Sequence, residues 1–496
     1  MPGAEKRWSE TGLGDRPGAR SFSRSQDGRS EMEKVGREPI AIIGIGCRFP
    51  GAKGPEAFWN LLREGVDAIT ESPSDRFDVG DVYDPKPGLP GKLSTRWGGF
   101  LEGVDEFDPY FFGISSREAA AMDPQQRVLL EVAWEAIEDA GLVPEKLEAG
   151  RIGVFAGTCN SDYGNLLEDS ADIDIYFAGG NALSVLSGRL SYALGLQGPS
   201  VTVDTACSTS LVAVHLACQS LLSGESTVAL AGGVNLIFGP EPYIAFSLAQ
   251  MLAPDGRCKF GDSRADGFVR SEGAGMVVLK PLSSALADGD DVYAVIRGSA
   301  VNNDGDSGGL LMTPSRPGQE AVFEEAYRSA GVSPGEVQYV EAHGTGTSVG
   351  DPVEIQALGV VLGEGRPEGH PCVVGSVKTN IGHTEGAAGV AGLIKVALAL
   401  KHKTISPSLH LRTPNPNIPW QELPLKVQRE LGPWPDSPGP ALAGVSSFGI
   451  SGTNSHVVLE EAPEAPRADA EVPLEPTCCP SLPTVPRFSK TRQGPT

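Results

Sequence analysis

Nowhere in the 496 residues does an apolar run approach the ~20 residues that a membrane-spanning helix requires, and the opening segment holds no hydrophobic stretch of a secretory kind. These absences predict a soluble, cytoplasmic protein with no membrane association. The opening segment is rich in Arg and Ser, but Glu5, Glu10, Asp15 and Asp27 argue against a transit peptide. Basic charge is scarce: 40 Lys and Arg stand against 63 Asp and Glu, a net charge of −23. A phosphate-coated partner would be repelled, so nucleic acid is excluded as a ligand. The eight cysteines (47, 159, 207, 218, 258, 372, 478 and 479) lack the CxxC pairing of a zinc site and the density of a disulfide scaffold. Reduced thiols and no metal are the expectation. Also missing is the third glycine that would make GIG at Gly44–Gly46 a dinucleotide loop, since position 49 is Phe49. No GxxxxGK[ST] phosphate loop accompanies HGTGT, and no literal repeat is visible.

What is present in quantity is glycine, 63 residues, and proline, 40, which together imply many tight turns. Residues 1–38 are polar, without aliphatic periodicity, and read as a disordered leader. From PIAIIGIG onward, short aliphatic runs alternate with longer amphipathic segments, the pattern of an α/β protein with covered sheets. Strands are expected at IAIIGI, IGVFAG, VTVD, VALAGG and GMVVLK, and again at VYAVIRGSAV, VQYVEA, CVVGSV and HVVLEE. The helix DPQQRVLLEVAWEAIEDAG opens on Asp123 and Pro124 and stops at Gly141. The chain therefore divides into two strand-helix halves, 39–287 and 288–463, followed by a Pro-rich tail, 464–496, that has neither periodicity.

Three segments share one grammar. In VTVDTACSTSLVAVHLACQSLLSG a strand leads into a small-residue turn carrying Cys207, and Leu211, Val214, Cys218 and Leu222 then recur as a buried helix face. A thiol at a helix N-terminus feels the positive end of the macrodipole, which predicts a lowered pKa. A lone Cys is still more often a packed thiol than a nucleophile. In VQYVEAHGTGTSVGDPVEIQAL a strand ends at His343 and a Gly/Thr loop precedes a helix starting near Asp351. In CVVGSVKTNIGHTEGAAGVAGLIKVALAL a strand is followed by Lys378, His383 and a small-residue helix. Each polar residue sits beyond a strand's carboxyl end, where open α/β sheets collect ligands. The long separations and the lack of a local ligand pair argue against zinc, whereas Cys-His hydrolysis stays open on spacing alone.

From Pro39 to LEEAP the chain closely resembles the ketosynthase domains of modular polyketide synthases, within the beta-ketoacyl synthase family of thiolase-like fold. The resemblance is carried by PIAIIGIGCRFPG, FDPYFFGIS, MDPQQR, GPSVTVDTACSTSLVAVHLAC, CKFGDSRADGFVRSEGAG, VNNDG, VEAHGTGTSVGDPVE, VKTNIGHTEGAAGVAGLIK and SSFGISGTNSHVVLEEAP. It implies a layered α-β-α-β-α arrangement of two pseudo-duplicated halves. It further implies that Cys207 accepts the acyl chain, that His343 and His383 complete the catalytic set, and that Lys378, Glu385 and Asp351 support them. By the same resemblance the backbone N–H groups of Cys207 and Ile450 form the oxyanion hole, Phe448 lines the pocket, and Thr345 and Thr347 contact a phosphopantetheine arm. Small departures stand at Thr209, Ser271 and Ser455, where the family usually has Ser, Gly and Ala.

The implied activity is beta-ketoacyl synthesis: a decarboxylative Claisen condensation between a Cys207-bound acyl chain and a malonyl-type extender on acyl carrier protein. No bound cofactor is expected, because the substrates ride on the carrier's phosphopantetheine. The implied partners are acyl carrier protein, a separate acyltransferase and other synthase domains, and a second copy of the chain. The carrier is expected to dock through a local basic patch despite the acidic balance of the chain. The competing reading is a non-catalytic or truncated ketosynthase-like partner of a larger synthase, motivated by how soon the chain ends after LEEAP. The retained Cys207 weighs against it.

Overall fold

The strand that opens the fold, β1 (Ile40–Phe49), is buried along nearly its whole length, which is why PIAIIGIG reads as an unbroken aliphatic run instead of an alternation. It lies inside a 12-stranded mixed sheet in a computed structural model that describes residues 37–143, 150–167 and 173–464. Nearly all of the leader and tail read from the sequence lies outside those residues. The remaining strands of the first half are β2 (Ile152–Gly157), β3 (Ser200–Val203), β4 (Val228–Asn235) and β5 (Gly273–Pro281). Those of the second are β6 (Ala294–Asn303), β7 (Tyr339–Glu341), β8 (Cys372–Gly375), β9 (Leu425–Val427), β10 (Leu442–Phe448) and β11 (Thr453–Glu461).

The sheet order is β9-β8-β7-β10-β11-β6-β1-β5-β4-β2-β3, with Ala52–Lys53 folded back on β1. The first half reads 3-2-4-5-1: β3, β2 and β4 run parallel, β5 is antiparallel to β4, and β1 is antiparallel to β5. The second half, without its edge strand β9, reads 8-7-10-11-6 with the same sequence of directions. One topology is thus used twice, and the copies join where β1 pairs antiparallel with β6 through Ile40–Ile296, Ala41–Val295 and Ile42–Ala294.

Helices cover the sheet in the expected layers. Here α1 (Pro124–Asp139) packs on the outer face of the first half, and α3 (Arg316–Ala330) with α4 (Gly350–Gly363) on that of the second. Between the halves lie α2 (Thr209–Leu222), which follows β3, and α5 (Ala388–His402), which follows the equivalent strand β8. Small residues allow these inner helices to touch: a Cβ placed on Gly389 would lie 2.7 Å from the Cβ of Leu211. α1 starts as its sequence predicts, with Asp123 accepting the N–H of Gln125 at 2.8 Å and Pro124 at the first turn. It stops before Gly141, which is left-handed at φ +63.

The GIG of β1 also finds its explanation against α1. A Cβ on Gly46 would sit 2.0 Å from the carbonyl oxygen of Val132, and one on Gly44 2.4 Å from that of Ala136. The glycines admit a helix backbone, not a dinucleotide. Gly46→Ala should accordingly lower unfolding stability by about 1–3 kcal/mol through overpacking, seen as a reduced urea midpoint; an unchanged midpoint would contradict this packing.

The strand β10 escaped sequence reading, because four of the seven residues in LAGVSSF are small and Val445 and Phe448 alone give a weak strand signal. Yet it is buried throughout and lies between β7 and β11. The segments that follow the parallel strands β2, β3, β7 and β8 carry Cys159, Cys207, His343, and Lys378 with His383, while β10 ends on Phe448, two residues before Ile450.

Candidate active site

Cys207 stands in a single 3-10 turn, Ala206–Ser208, between β3 and α2. Ala206 adopts φ +57, an unusual value for a residue with a Cβ. The turn is tied down on every side. Ala206 N–H donates to Asp204 Oδ1 at 2.9 Å, Thr205 N–H to Thr209 Oγ1 at 2.9 Å, and Ser447 Oγ to the Cys207 carbonyl at 2.8 Å. The thiol faces a cavity of about 620 Å³ that is also lined by His343, His383, Thr345, Thr347, Phe448 and Ile450. The residues singled out from three distant segments therefore meet in one place.

The electrostatics of the thiol correct a sequence expectation. Burial pushes Cys207 up to about 12, and Glu385 adds to the rise. Lys378 and the N–H groups of Ile450 and of Cys207 itself pull it only part of the way back. The helix dipole thus loses to desolvation. The same observation places the two N–H groups assigned to an oxyanion hole beside the sulfur.

The imidazoles are set by backbone donors. Phe448 N–H donates to His343 Nδ1 at 3.3 Å, and Glu385 N–H donates to His383 Nδ1 at 3.2 Å. A ring nitrogen that accepts such a bond carries no proton, so each neutral ring keeps its hydrogen on Nε2. The rings lie 5.3 Å apart, nearly perpendicular. Burial, and then the charge of Lys378, holds both well below the usual histidine value. Lys378 is itself buried, and that burial lowers its pKa against the opposing pull of Glu341 and Glu354.

The other predicted residues occupy the site in different ways. Asp351 is buried and accepts the N–H of Gly346 at 3.0 Å and of Gly261 at 2.9 Å, so it shapes the HGTGT loop without touching the thiol. The Thr345 and Thr347 hydroxyls are 3.2 Å apart on the cavity wall. Glu385 supports His383 through its backbone, while its carboxylate turns to Arg270, with Nε–Oε1 at 2.5 Å and Nη2–Oε2 at 3.0 Å. Gly449 gives the loop its close approach: a Cβ there would lie 2.2 Å from the carbonyl oxygen of Thr205.

Sequence reasoning passed over Arg270, Glu354 and Cys159. Glu354 is buried and accepts the N–H groups of His343 and Gly344 at 2.7 and 2.8 Å, fixing the turn that presents the imidazole. Its signal was an acid three residues after Asp351 on an otherwise apolar helix face. Cys159, at the end of β2, lines the same cavity as Cys207. Among the described residues no three or more His, Cys, Asp or Glu are grouped to hold a metal ion, and no helix is long and apolar enough to cross a membrane.

Comparison with known proteins agrees with this geometry. The sequence matches the family described as beta-ketoacyl synthase, N-terminal domain, over residues 37–285, and its C-terminal domain over 293–412. A third match, ketoacyl-synthetase C-terminal extension, covers 414–491 and so takes in most of the residues read as a tail. One component of the phenolphthiocerol/phthiocerol polyketide synthase of Mycobacterium tuberculosis is 52% identical over 440 residues, 88% of this chain. Another component of the synthase of that name, from Mycobacterium bovis, is 53% identical over 436 residues, 87% of this chain. The chain spans only 28% and 24% of the length of these two relatives.

Among solved structures, the ketosynthase from module 6 of the bacillaene synthase of Bacillus subtilis 168 superimposes with a TM-score of 0.81 at 42% identity, covering 86% of this chain and 73% of that one. An oxazolomycin ketosynthase domain from Streptomyces albus JA3453 gives 0.81 and 42%, over 86% and 75%. Both halves of the duplicated fold carry the match, at identities far above what likeness of fold alone produces, and the chain therefore belongs to the beta-ketoacyl synthase family.

Proposed function

We propose that this chain is a ketosynthase of polyketide biosynthesis, with 39–287 and 288–463 as its two halves, and that it joins an acyl chain held on Cys207 to a malonyl-type unit held on a carrier protein. The observation that carries the reading is the convergence on one cavity of a thiol and two imidazoles whose Nε2 protons are fixed by backbone donors.

In the first step the Cys207 sulfur attacks an acyl thioester. Its proton passes to the departing carrier thiol, and a Cys207 thioester forms. The N–H groups of Cys207 and Ile450 stabilise the tetrahedral oxyanion. In the second step the malonyl-type group loses carbon dioxide, and the electrons of the broken C–C bond form an enolate on its thioester. Two neutral Nε2–H donors aimed at that carbonyl oxygen are the arrangement that favours this charge. The enolate carbon then attacks the Cys207 thioester. A beta-ketoacyl chain leaves on the carrier, and the released thiolate takes up a proton. The substrates bring their own activation through phosphopantetheine, and the Thr345 and Thr347 hydroxyls on the cavity wall are assigned to that arm.

Because both imidazoles are held well below the usual value, they stay neutral as pH falls from about 8 to 6. Carbon dioxide release by enzyme already acylated on Cys207 should therefore show no histidine titration across that range; a step near pH 7 would belong to Asp351 and Glu354, whose burial pushes both up to about 7. A histidine nitrogen signal that titrates near pH 6.5 would contradict the neutral-donor assignment. Gly449→Ala should lower kcat by about 10²-fold by moving the Ile450 N–H off the oxyanion, with a stability loss of about 1–3 kcal/mol from the clash with the Thr205 carbonyl; unaltered turnover would place that donor elsewhere.

The partners follow from the same reading: acyl carrier protein, an acyltransferase, other synthase domains and a second copy of the chain. The edge strand β3 leaves Ser200 and Val201 exposed, with Tyr192 and Ile175 exposed on neighbouring helices. This exposed apolar edge supports homodimer formation. The experiment that tests the function is incubation with an acyl thioester and a malonyl carrier protein, scored for a beta-ketoacyl carrier product and carbon dioxide.

A further inference from the structure

Arg270 is, among the described residues, the largest fully buried side chain, and the mechanism above gives it no part. It grips Glu385 with two donors. It also stacks over Tyr243 at 4.8 Å and lies 5.9 Å from the Phe246 ring. Its own backbone runs beside His383: the two residues form a parallel bridge, Ser271 N–H donates to the His383 carbonyl at 2.9 Å, and His383 N–H donates to the Val269 carbonyl at 2.7 Å. Glu385 has φ +42, a strained value for a residue with a Cβ, which the surroundings must impose. The restraint comes from Arg270 together with Asn160 Nδ2, which donates to Oε2 at 3.1 Å. Out of that strained turn comes the N–H that reaches His383 Nδ1.

We propose that Arg270 is a positioning residue for this reaction: by gripping the Glu385 carboxylate it holds the Glu385 N–H against His383 Nδ1 and so keeps the imidazole proton on Nε2, facing the cavity. The inference rests on the ketosynthase reading and extends it to a residue that touches neither substrate nor thiol. The same pairing neutralises a carboxylate that lines the cavity, where a free negative charge would oppose a malonyl carboxylate. The charged and titratable groups facing His383 are His343, Lys378, Arg270 and Glu385, and those facing Arg270 are Glu385, Tyr243, Asp162, Cys159 and His383.

The test uses the full chain as wild type, Arg270→Met and Arg270→Lys, the last keeping the buried charge while losing the planar fork. With Cys207 acylated, carbon dioxide release from a malonyl carrier protein is followed from pH 8 to 6. Arg270→Met leaves Glu385 unpaired beside His383, so the imidazole should titrate near neutrality and kcat should fall about tenfold across the range. KM for the malonyl carrier should stay within about twofold of wild type, and Arg270→Lys should lie between the two. Histidine nitrogen spectra, assigned by the signal lost in His383→Gln, read the tautomer without turnover. The wild type should show His383 with its proton on Nε2, and Arg270→Lys a mixture. A wild-type spectrum with the proton on Nδ1, or an Arg270→Lys variant with wild-type spectrum and profile, would overturn the proposal even if Arg270→Met does not fold. A folded, acylated wild type that releases no carbon dioxide would instead count against the ketosynthase reading, and the spectra would still decide the positioning.

Discussion

Cys207→Ala should take up no acyl chain under conditions that load the wild type completely, and condensation should fall below detection. The expectation is this large because the thiol has no substitute in its role: the covalent bond it makes is the step that divides the reaction in two. The variant should still fold, since the removed sulfur faces the cavity and the turn is held through Asp204, Thr209 and Ser447. It should also still decarboxylate a malonyl group slowly, because His343 and His383 keep their backbone donors. Intact-mass spectra with carbon dioxide measurement read both halves of this prediction. An acyl adduct persisting on the variant would move the nucleophile elsewhere, and Cys159 in the same cavity would be the first place to map.

His383→Ala should give the opposite division of effects. Loss of one fixed donor to the enolate oxygen should lower decarboxylation and condensation by about 10²–10³-fold, while acylation of Cys207 stays within about tenfold of wild type. There is a stability cost as well, about 1–3 kcal/mol, because the Glu385 N–H would be left buried without its acceptor. Acyl-adduct mass and carbon dioxide release, measured on the same sample, separate the two steps. Equal slowing of both would mean that His383 serves the thiol and not the extender.

The parts of this arrangement that were legible in the sequence are those in which a local pattern carries a long-range consequence. An aliphatic run ending in a small-residue turn before a helix located Cys207, and the same reading located His343 and His383, because each lies in the segment that links a parallel strand to its following helix. The pKa of the thiol was not legible. A helix N-terminus is a local feature, but desolvation depends on how completely the other half of the chain closes over the turn. Arg270 was hidden for a related reason: its partner Glu385 is 115 positions away along the chain, and a single arginine in RSEGAG gives no sign that it is buried. Strand β10 was hidden by composition, since Leu442–Phe448 owes its place to burial on both faces and not to intrinsic strand preference. The duplication also left no trace as a literal repeat. The two strand-helix halves could be read from the sequence, but their identity of topology shows in the strand order, because topology constrains which strands pair and not which residues fill them.

The central claim is that Cys207 and the two Nε2–H imidazoles act in sequence on one chain. It is tested most directly by intact-mass spectrometry of the wild type, first after incubation with a short acyl thioester and again after addition of a malonyl carrier protein, with the adduct mapped to its peptide. The account predicts one acyl group on Cys207, which then disappears as carbon dioxide is released and a beta-ketoacyl chain appears on the carrier. A folded protein that gains no adduct, or one whose adduct on Cys207 survives the malonyl carrier unchanged, would contradict it.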